Sequence, residues 1–284
     1  MQIPDKIPEA VVFTYEAMNT TFSMRFPGME QNAASGLARE CYEILDRLEA
    51  LLSRFVADSD VSRINAMEAG QTLHITEETH ACLLVALRAY EQTGGLFDVT
   101  LGSSIEHLKS QAEGEAPAVR GRLMVHPDVA AVTCEEPGRM IDLGGIGKGF
   151  ALDRMKHMLA EWDAPEFMLT AGASSMLAHG ALVWPVDLAG TTERTKIGLQ
   201  NAALSASGTI IQGSHIVHPA GPEAMPESPC EHVWVTAETA ALAEVWSTAL
   251  MLLPADEITD FLQPDDGLLS VHADCAGGMR KLWG

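Results

Sequence analysis

Three stretches of this chain carry side chains whose types and spacing could do chemistry. The first is Met140 to Asp153, MIDLGGIGKGFALD. A strand-like approach meets Asp142, then Gly144, Gly145, Gly147 and Gly149 surround Lys148, and a helix-like run follows through Leu152 and Met155. A turn without side chains lets backbone N–H groups and the positive end of the next helix approach an anion, and the lysine adds a full charge. Phosphate is the natural guest. Neither common phosphate fingerprint is present, however. A Walker loop needs Gly where Asp142 stands and Ser or Thr at Gly149, and the dinucleotide pattern needs Gly at Phe150. The plainer role of such a loop is a tight turn that lets a helix pack on a sheet.

The second stretch is GSHIVHPAG, where His215 and His218 bracket a short apolar strand ending at Pro219. A separation of three puts the two rings on opposite faces of an ideal strand, so joint metal binding requires the strand to have ended. Either histidine alone also suits a hydrogen-bonded structural role. The third is Glu244 with Ser247 and Thr248 in an apolar helical run. A carboxylate and hydroxyls on adjacent turns can hold a hard cation such as Mg²⁺, and can equally cap a helix or cross to a neighbour.

The elements that must position these groups follow from periodicity. Val11–Tyr15 and Thr20–Phe26 read as a hairpin turning at Met18, Asn19 and Thr20. From Asn32 to Phe55, Leu37, Cys41, Ile44, Leu45, Leu48, Leu51 and Leu52 fall at helical spacing. Asp58, Ser59, Asp60 and Ser62 then offer cap and turn chemistry. A second helix spans Glu77 to Gln92 and stops at Gly94-Gly95, before Leu96-Phe97-Asp98. Residues 108–121 are polar and rich in Gly, Ala and Pro, which predicts a mobile surface segment and the place for an internal boundary. Strands at Val125–Thr133 and Arg139–Leu143 lead into the glycine loop, and a helix follows from Phe150 to Trp162. The C-terminal half reads as strands at Phe167–Thr170, Ser175–His179, Leu182–Leu188, Thr195–Gln200, His232–Thr236, Leu268–Val271 and Met279–Trp283. A helix over Ala237–Leu253 interrupts them. The class is α+β, with mixed or antiparallel sheets and packed helices, in one domain over 1–284 or two packed halves meeting near 108–121.

Bulk properties narrow the function. The chain has 284 residues, 47% of them hydrophobic, enough for a large core. A formal net charge of −21 repels nucleic acid and anionic membrane over most of the surface, so a phosphate site must be a local exception. Cys41, Cys82, Cys134, Cys230 and Cys275 form no C-x-x-C pair and are odd in number, which predicts reduced, mostly buried thiols. No apolar run reaches membrane-spanning length, and MQIPDKIPEA has no apolar signal region. The expectation is a cytoplasmic chain without a transmembrane segment, an exported mature form being the other arrangement.

The pieces also fall in a familiar order. Met-x-Thr-Thr-Phe-Ser starting at Met18 is followed by Leu-Ser-Arg-Phe, Asp-Ser-Asp and Ser-Arg-Ile-Asn. Phe-Asp-Val-Thr, Asp-Leu-Gly-Gly-Ile-Gly-Lys-Gly, Ser-Gly, His-Ile-Val and Glu-x-x-Ser-Thr-Ala come after. From residue 18 to about residue 253 the chain resembles the FAD:protein FMN transferase (ApbE-like) family. The resemblance implies a T-fold-related architecture with a flavin cleft between two halves. It also implies flavinylation as a post-translational modification: FMN moves from FAD to a Thr or Ser hydroxyl of a target flavoprotein, with Mg²⁺, and AMP leaves.

On that resemblance Met18, Phe55, Leu96, Phe97, Asp98, Asp142, Lys148 and Ile216 would contact FAD, with Lys148 near phosphate. Gly145 through its carbonyl, Glu244, Ser247 and Thr248 would hold the metal, and His215 would take the proton from the target hydroxyl. The family usually has Asp at the place of Glu244. It reads Gly-Gly-Asp, Thr-Ser-Gly and Asp-Pro where this chain has Gly172-Ala173-Ser174, Ala206-Ser207-Gly208 and His218-Pro219. Two further readings on the same fold are a flavin-binding protein impaired in transfer and a pyrophosphatase that cleaves FAD to FMN and AMP.

Overall fold

The computed structural model describes residues 3–4, 7–110, 114, 117–208, 216–227 and 229–284. Its centre is an eight-stranded antiparallel sheet in the spatial order β1 (Ala10–Ala17), β2 (Thr20–Pro27), β6 (Phe167–Ala171), β7 (Ser175–His179), β10 (Ala202–Gly208), β11 (His232–Ala237), β12 (Leu268–Cys275), β13 (Gly278–Trp283). The first pair, β1 (Ala10–Ala17) and β2 (Thr20–Pro27), closes through a two-residue turn in which Met18 and Asn19 have φ of 50° and 57°. Two left-handed residues match the twist of a hairpin; Asn tolerates that region well and Met adopts it rarely. Along β2 the inward residues Phe22, Met24 and Phe26 are fully buried and alternate with Thr21, Ser23 and Arg25.

The central strands are β6 (Phe167–Ala171), β7 (Ser175–His179), β10 (Ala202–Gly208) and β11 (His232–Ala237). They are covered on both faces. Leu169, Leu177, Ala203, Val233 and Val235 enter the large core beneath the helices. Met168, Ala178, Ala202, Leu204 and Trp234 enter a second core with Trp184, Leu188 and Leu199. The last three belong to the ribbon of β8 (Trp184–Ala189) and β9 (Arg194–Leu199) that covers the other face. Burial on both faces removes the polar-apolar alternation that marks a half-exposed strand.

Over the large core lie α1 (Gln31–Leu52), α5 (Gly147–Glu161) and α6 (Ala240–Leu250). Helix α1 turns Ala34, Leu37, Ala38, Cys41, Ile44, Leu45, Leu48 and Leu52 inward, the stripe expected of an amphipathic helix. The other part of the fold holds α2 (Asp60–Asn65), α3 (Glu77–Gln92), α4 (Gly102–Lys109) and a three-stranded sheet. That sheet is ordered β3 (Thr72–His74), β5 (Ala131–Glu136), β4 (Arg122–Val125). Near the C-terminus come the short α7 (Ile258–Phe261), then β12 (Leu268–Cys275) and β13 (Gly278–Trp283).

The α+β class with antiparallel sheets is the one expected, and several local expectations change. Val125–Thr133 spans parts of two strands, β4 and β5, separated by a bend over residues 127–130. Arg139–Leu143 is not a strand: it makes one bridge, Leu101 to Met140, and the Asn65 side chain binds both N–H and C=O of Ile141, at 2.7 and 3.0 Å, as a neighbouring strand would. Helix α5 starts at Gly147, so much of the glycine stretch is its first turn. The thiol expectation is corrected for one pair: Cys230 and Cys275 form a disulfide, while Cys41, Cys82 and Cys134 are free and buried. No C-x-x-C spacing announces that pair, because β11 and β12 bring together residues 45 apart. The expected boundary near 108–121 falls partly on residues 111–113 and 115–116, outside the described residues. Among the described residues, no helix is long and apolar enough to cross a membrane.

Helices α5 and α6 meet closely. A Cβ at Gly149 would lie 2.4 Å from the Ala240 carbonyl oxygen, so only glycine fits there. One turn later Asp153 accepts the N–H groups of Ala240 and Ala241, at 2.8 and 2.9 Å, and so caps α6 from a neighbouring helix. Burial pushes the Asp153 carboxyl up to about 6, against the lowering effect of those two N–H groups. A carboxyl raised above its unfolded value stabilises the fold fully below about pH 4, and that contribution is lost as pH rises through about 6. Replacing Asp153 with Asn removes the titration. The stability difference between Asp153→Asn and the native chain should therefore move by about 2–3 kcal/mol in the variant's favour from pH 4 to pH 7. Urea unfolding of both proteins at the two pH values measures it, and a pH-independent difference would contradict the assignment.

Candidate functional site

Helix α5 brings its N-terminal turn against the buried face of α6, and the Glu244 carboxylate lies between them. It is 3% exposed, and each oxygen has protein donors. The Gly149 N–H donates to Oε2 at 2.9 Å, the Ser175 hydroxyl donates to Oε1 at 2.5 Å, and the Lys148 ammonium lies 3.2 Å from Oε1. A carboxylate at a helix N-terminus is favoured by the unpaired N–H groups and the helix dipole. The turn that the sequence offers to an external anion thus holds an internal one.

One turn along α6, Ser247 is fully buried. Its hydroxyl is 3.1 Å from the Glu244 carbonyl oxygen, 3.2 Å from the Ser205 hydroxyl and 3.0 Å from that of Ser207. The Thr248 hydroxyl is 3.4 Å from Ser207. Strand β10 therefore sets two serines against the α6 hydroxyls. These donors are all oxygen, the chemistry that suits a hard cation. Glu244, however, already has an ammonium beside it, and among the described residues no group of three or more His, Cys, Asp or Glu is placed to hold a metal.

On the other side of the glycine turn, Asp142 accepts the Gly144 N–H through Oδ1 and Arg54 Nε through Oδ2, both at 2.8 Å. The Arg54 and Asp142 side chains are 6% and 9% exposed, so this ion pair is buried. The same guanidinium reaches Glu106 at 3.4 Å and lies over the Phe55 ring, 4.2 Å from its centre. Phe55 itself is 78% exposed, a flat apolar face beside the turn. Phe97 is buried, and its ring would be 3.1 Å from a Cβ at Gly145.

The remaining expected residues are placed as follows. Asp98 accepts the N–H and hydroxyl of Thr100, both at 2.7 Å, and pairs with Arg139 at 3.4 Å, so its carboxylate shapes its own turn. Met18, at the hairpin tip, gives its N–H to Glu49 of α1 at 3.0 Å. Met18, Leu96 and Ile216 are partly buried against the large core. His215 lies outside the described residues. His218 accepts the Ala220 N–H through Nδ1, and burial lowers its pKa from the ordinary histidine value.

The structure brings Lys148, Glu244, Ser247 and Thr248 into one cluster, and sets Asp142 with Gly144, and Phe97 with Gly145, on the same turn. Sequence reasoning missed Arg54, Ser175 and Ser205. Arg54 stands next to Phe55 and carried a readable signal, a lone cation at a helix end; Ser175 sits in an unremarkable strand and carried none.

A family model described as the ApbE family matches residues 18–271. The chain is 22% identical to the FAD:protein FMN transferase of Escherichia coli (strain K12), over 97% of this chain and 87% of that protein. It is 24% identical to the FAD:protein FMN transferase of Salmonella typhimurium, over 87% of this chain and 79% of that one. Among solved structures it is similar to the apo form of the flavinyl transferase ApbE of Pseudomonas stutzeri, with a TM-score of 0.80, 20% identity and coverage of 96% and 94% of the two chains. It is also similar to the flavin transferase ApbE from Vibrio cholerae, with a TM-score of 0.79 and 19% identity over 96% of each chain.

The Arg54–Asp142 pair yields a prediction independent of any ligand. Removing one partner of a buried ion pair leaves the other charge unpaired, so Arg54→Ala should cost about 3–5 kcal/mol. Adding Asp142→Ala removes that orphan charge. The double variant should therefore be less destabilised than the sum of the two single variants, by more than about 1 kcal/mol in a urea-unfolding cycle. Simple additivity would show that the pair is not coupled.

Proposed function

This chain belongs to the ApbE family, and on that premise we propose that it is an FAD:protein FMN transferase. It takes FAD beside the glycine turn at Gly144–Gly149 and moves FMN to a Thr or Ser hydroxyl of a target flavoprotein. The observation that carries this reading is the placement of Lys148. Its side chain, 22% exposed, rises from the first turn of α5 with the ammonium on Glu244, a cation at a helix N-terminus in a chain whose net charge would otherwise repel a dinucleotide.

In this reading the apolar and aromatic groups of Met18, Phe55, Leu96, Phe97 and Ile216 take the flavin and adenine faces. Asp98 and Asp142 keep their turns in shape beside the ligand, and Lys148 meets the pyrophosphate. His215 accepts the proton of the target hydroxyl as its oxygen attacks the FMN phosphorus; the bond from that phosphorus to the bridging oxygen breaks, and AMP leaves with the electron pair. Gly145 through its carbonyl, with Glu244, Ser247 and Thr248, would hold Mg²⁺, which when bound neutralises charge on the pyrophosphate. Of the two locations open to the chain, the Cys230–Cys275 disulfide favours an oxidising compartment and so the exported form.

A single incubation tests the function. FAD, Mg²⁺ and a flavoprotein bearing an acceptor hydroxyl should yield protein-linked FMN and an equal amount of AMP, read by mass spectrometry and chromatography. FMN and AMP appearing at the same rate without an acceptor would instead mark a pyrophosphatase. Tight FAD binding with no cleavage, unaffected by Mg²⁺, would mark a flavin-binding protein, the reading favoured if Glu244 keeps all its present partners.

A further inference from the structure

Three donors surround the Glu244 carboxylate, and only one can leave. The Gly149 N–H is fixed by helix α5, and the Ser175 hydroxyl belongs to a strand residue that is 1% exposed. Lys148 ends in a flexible four-carbon stem and is 22% exposed. One turn on from Glu244 along α6, the hydroxyls of Ser247 and Thr248 meet those of Ser205 and Ser207 on β10. A divalent cation held between that cluster and Glu244 would stand within a few ångströms of the ammonium now on Oε1. Two like charges at such range in a poorly solvated place repel strongly. Conversely, a buried carboxylate stripped of every cation is costly, so Glu244 needs one of the two.

We propose that Lys148 is the resident counter-ion of the Glu244 site and exchanges with the divalent cation. Metal entry displaces the ammonium from Oε1, and the partly exposed side chain then turns its charge toward solvent at the α5 turn, where it can meet the pyrophosphate of the proposed substrate. Gly149 and Ser175 stay bound and keep the carboxylate aimed. The cation and the pyrophosphate then favour each other's binding through one side chain, and by linkage the effect is reciprocal. This inference rests on the reading of Glu244 as the cation ligand.

Binding of Mn²⁺ to the nucleotide-free protein, followed by the electron paramagnetic resonance of free Mn²⁺, separates the two ideas. Lys148→Met removes the competitor and should tighten Mn²⁺ binding about tenfold or more, while Glu244→Gln should abolish it. If Lys148→Met binds Mn²⁺ no tighter than the native chain while Glu244→Gln loses it, the exchange is overturned and the cation site stands. If Glu244→Gln binds as the native chain does, the cation-site reading itself falls and the exchange with it. The native chain provides a second test that needs no folded variant. With Mg²⁺ added, Lys148 should be acetylated faster by an N-hydroxysuccinimide ester, relative to exposed Lys281 as internal reference. An unchanged or slower relative rate would overturn the exchange.

Discussion

The site depends on one carboxylate held at the start of one helix. Glu244 joins α6 to the first turn of α5 through Gly149 and Lys148, and to β7 through Ser175. Three elements distant in sequence are fixed relative to each other by a single buried charge. Removing water from that charge is unfavourable, and the arrangement is stable because every oxygen has a donor. Asp153 repeats the device in the other direction, running from α5 to the buried first-turn N–H groups of α6. The two helices are thus stitched by reciprocal carboxylates, with Gly149 allowing the close approach between them.

Around this join the sheet acts as a partition between two cores. Its central strands place alternate residues in the large core under the helices and in the smaller one under the β8–β9 ribbon. The ribbon contributes nothing to the site directly. By covering the far face, it allows β6, β7, β10 and β11 to be apolar on both sides, and so stiff where Ser175, Ser205 and Ser207 must meet α6.

How much of this could be read from the chain depends on how local each signal is. Helix α3 has its limits in its own residues, with Thr76 capping Thr79 at one end and Gly94 and Gly95 in left-handed turns beyond the other. The β1–β2 hairpin and the stripe of α1 are equally local. Strand β10, AALSASG, was illegible because small residues buried on both faces show neither alternation nor bulk. The glycine stretch was read correctly as the approach to a helix, but the strand before it is only a bridge at Met140, the helix already begins at Gly147, and its partner Glu244 was not foreseen. Glu244 lies 95 residues from Gly149 and 69 from Ser175, and no periodicity spans such gaps. The same holds for Arg54 and Asp142, 88 residues apart. The disulfide also required the register of β11 against β12 to be known first.

The order of the large sheet has a bearing on how the molecule meets copies of itself. Because the sheet runs from β1 to β13 without closing, its outer strands are the places where a second chain could add by backbone pairing. At β13 that approach would meet Arg280 and Lys281, both exposed, beside a strand pair whose register is interrupted between Val271 and His272. Charge and irregularity on an outer strand are what keep open sheets from joining end to end. In a protein so acidic elsewhere, part of its small supply of cations stands guard on that margin, against its own polymerisation.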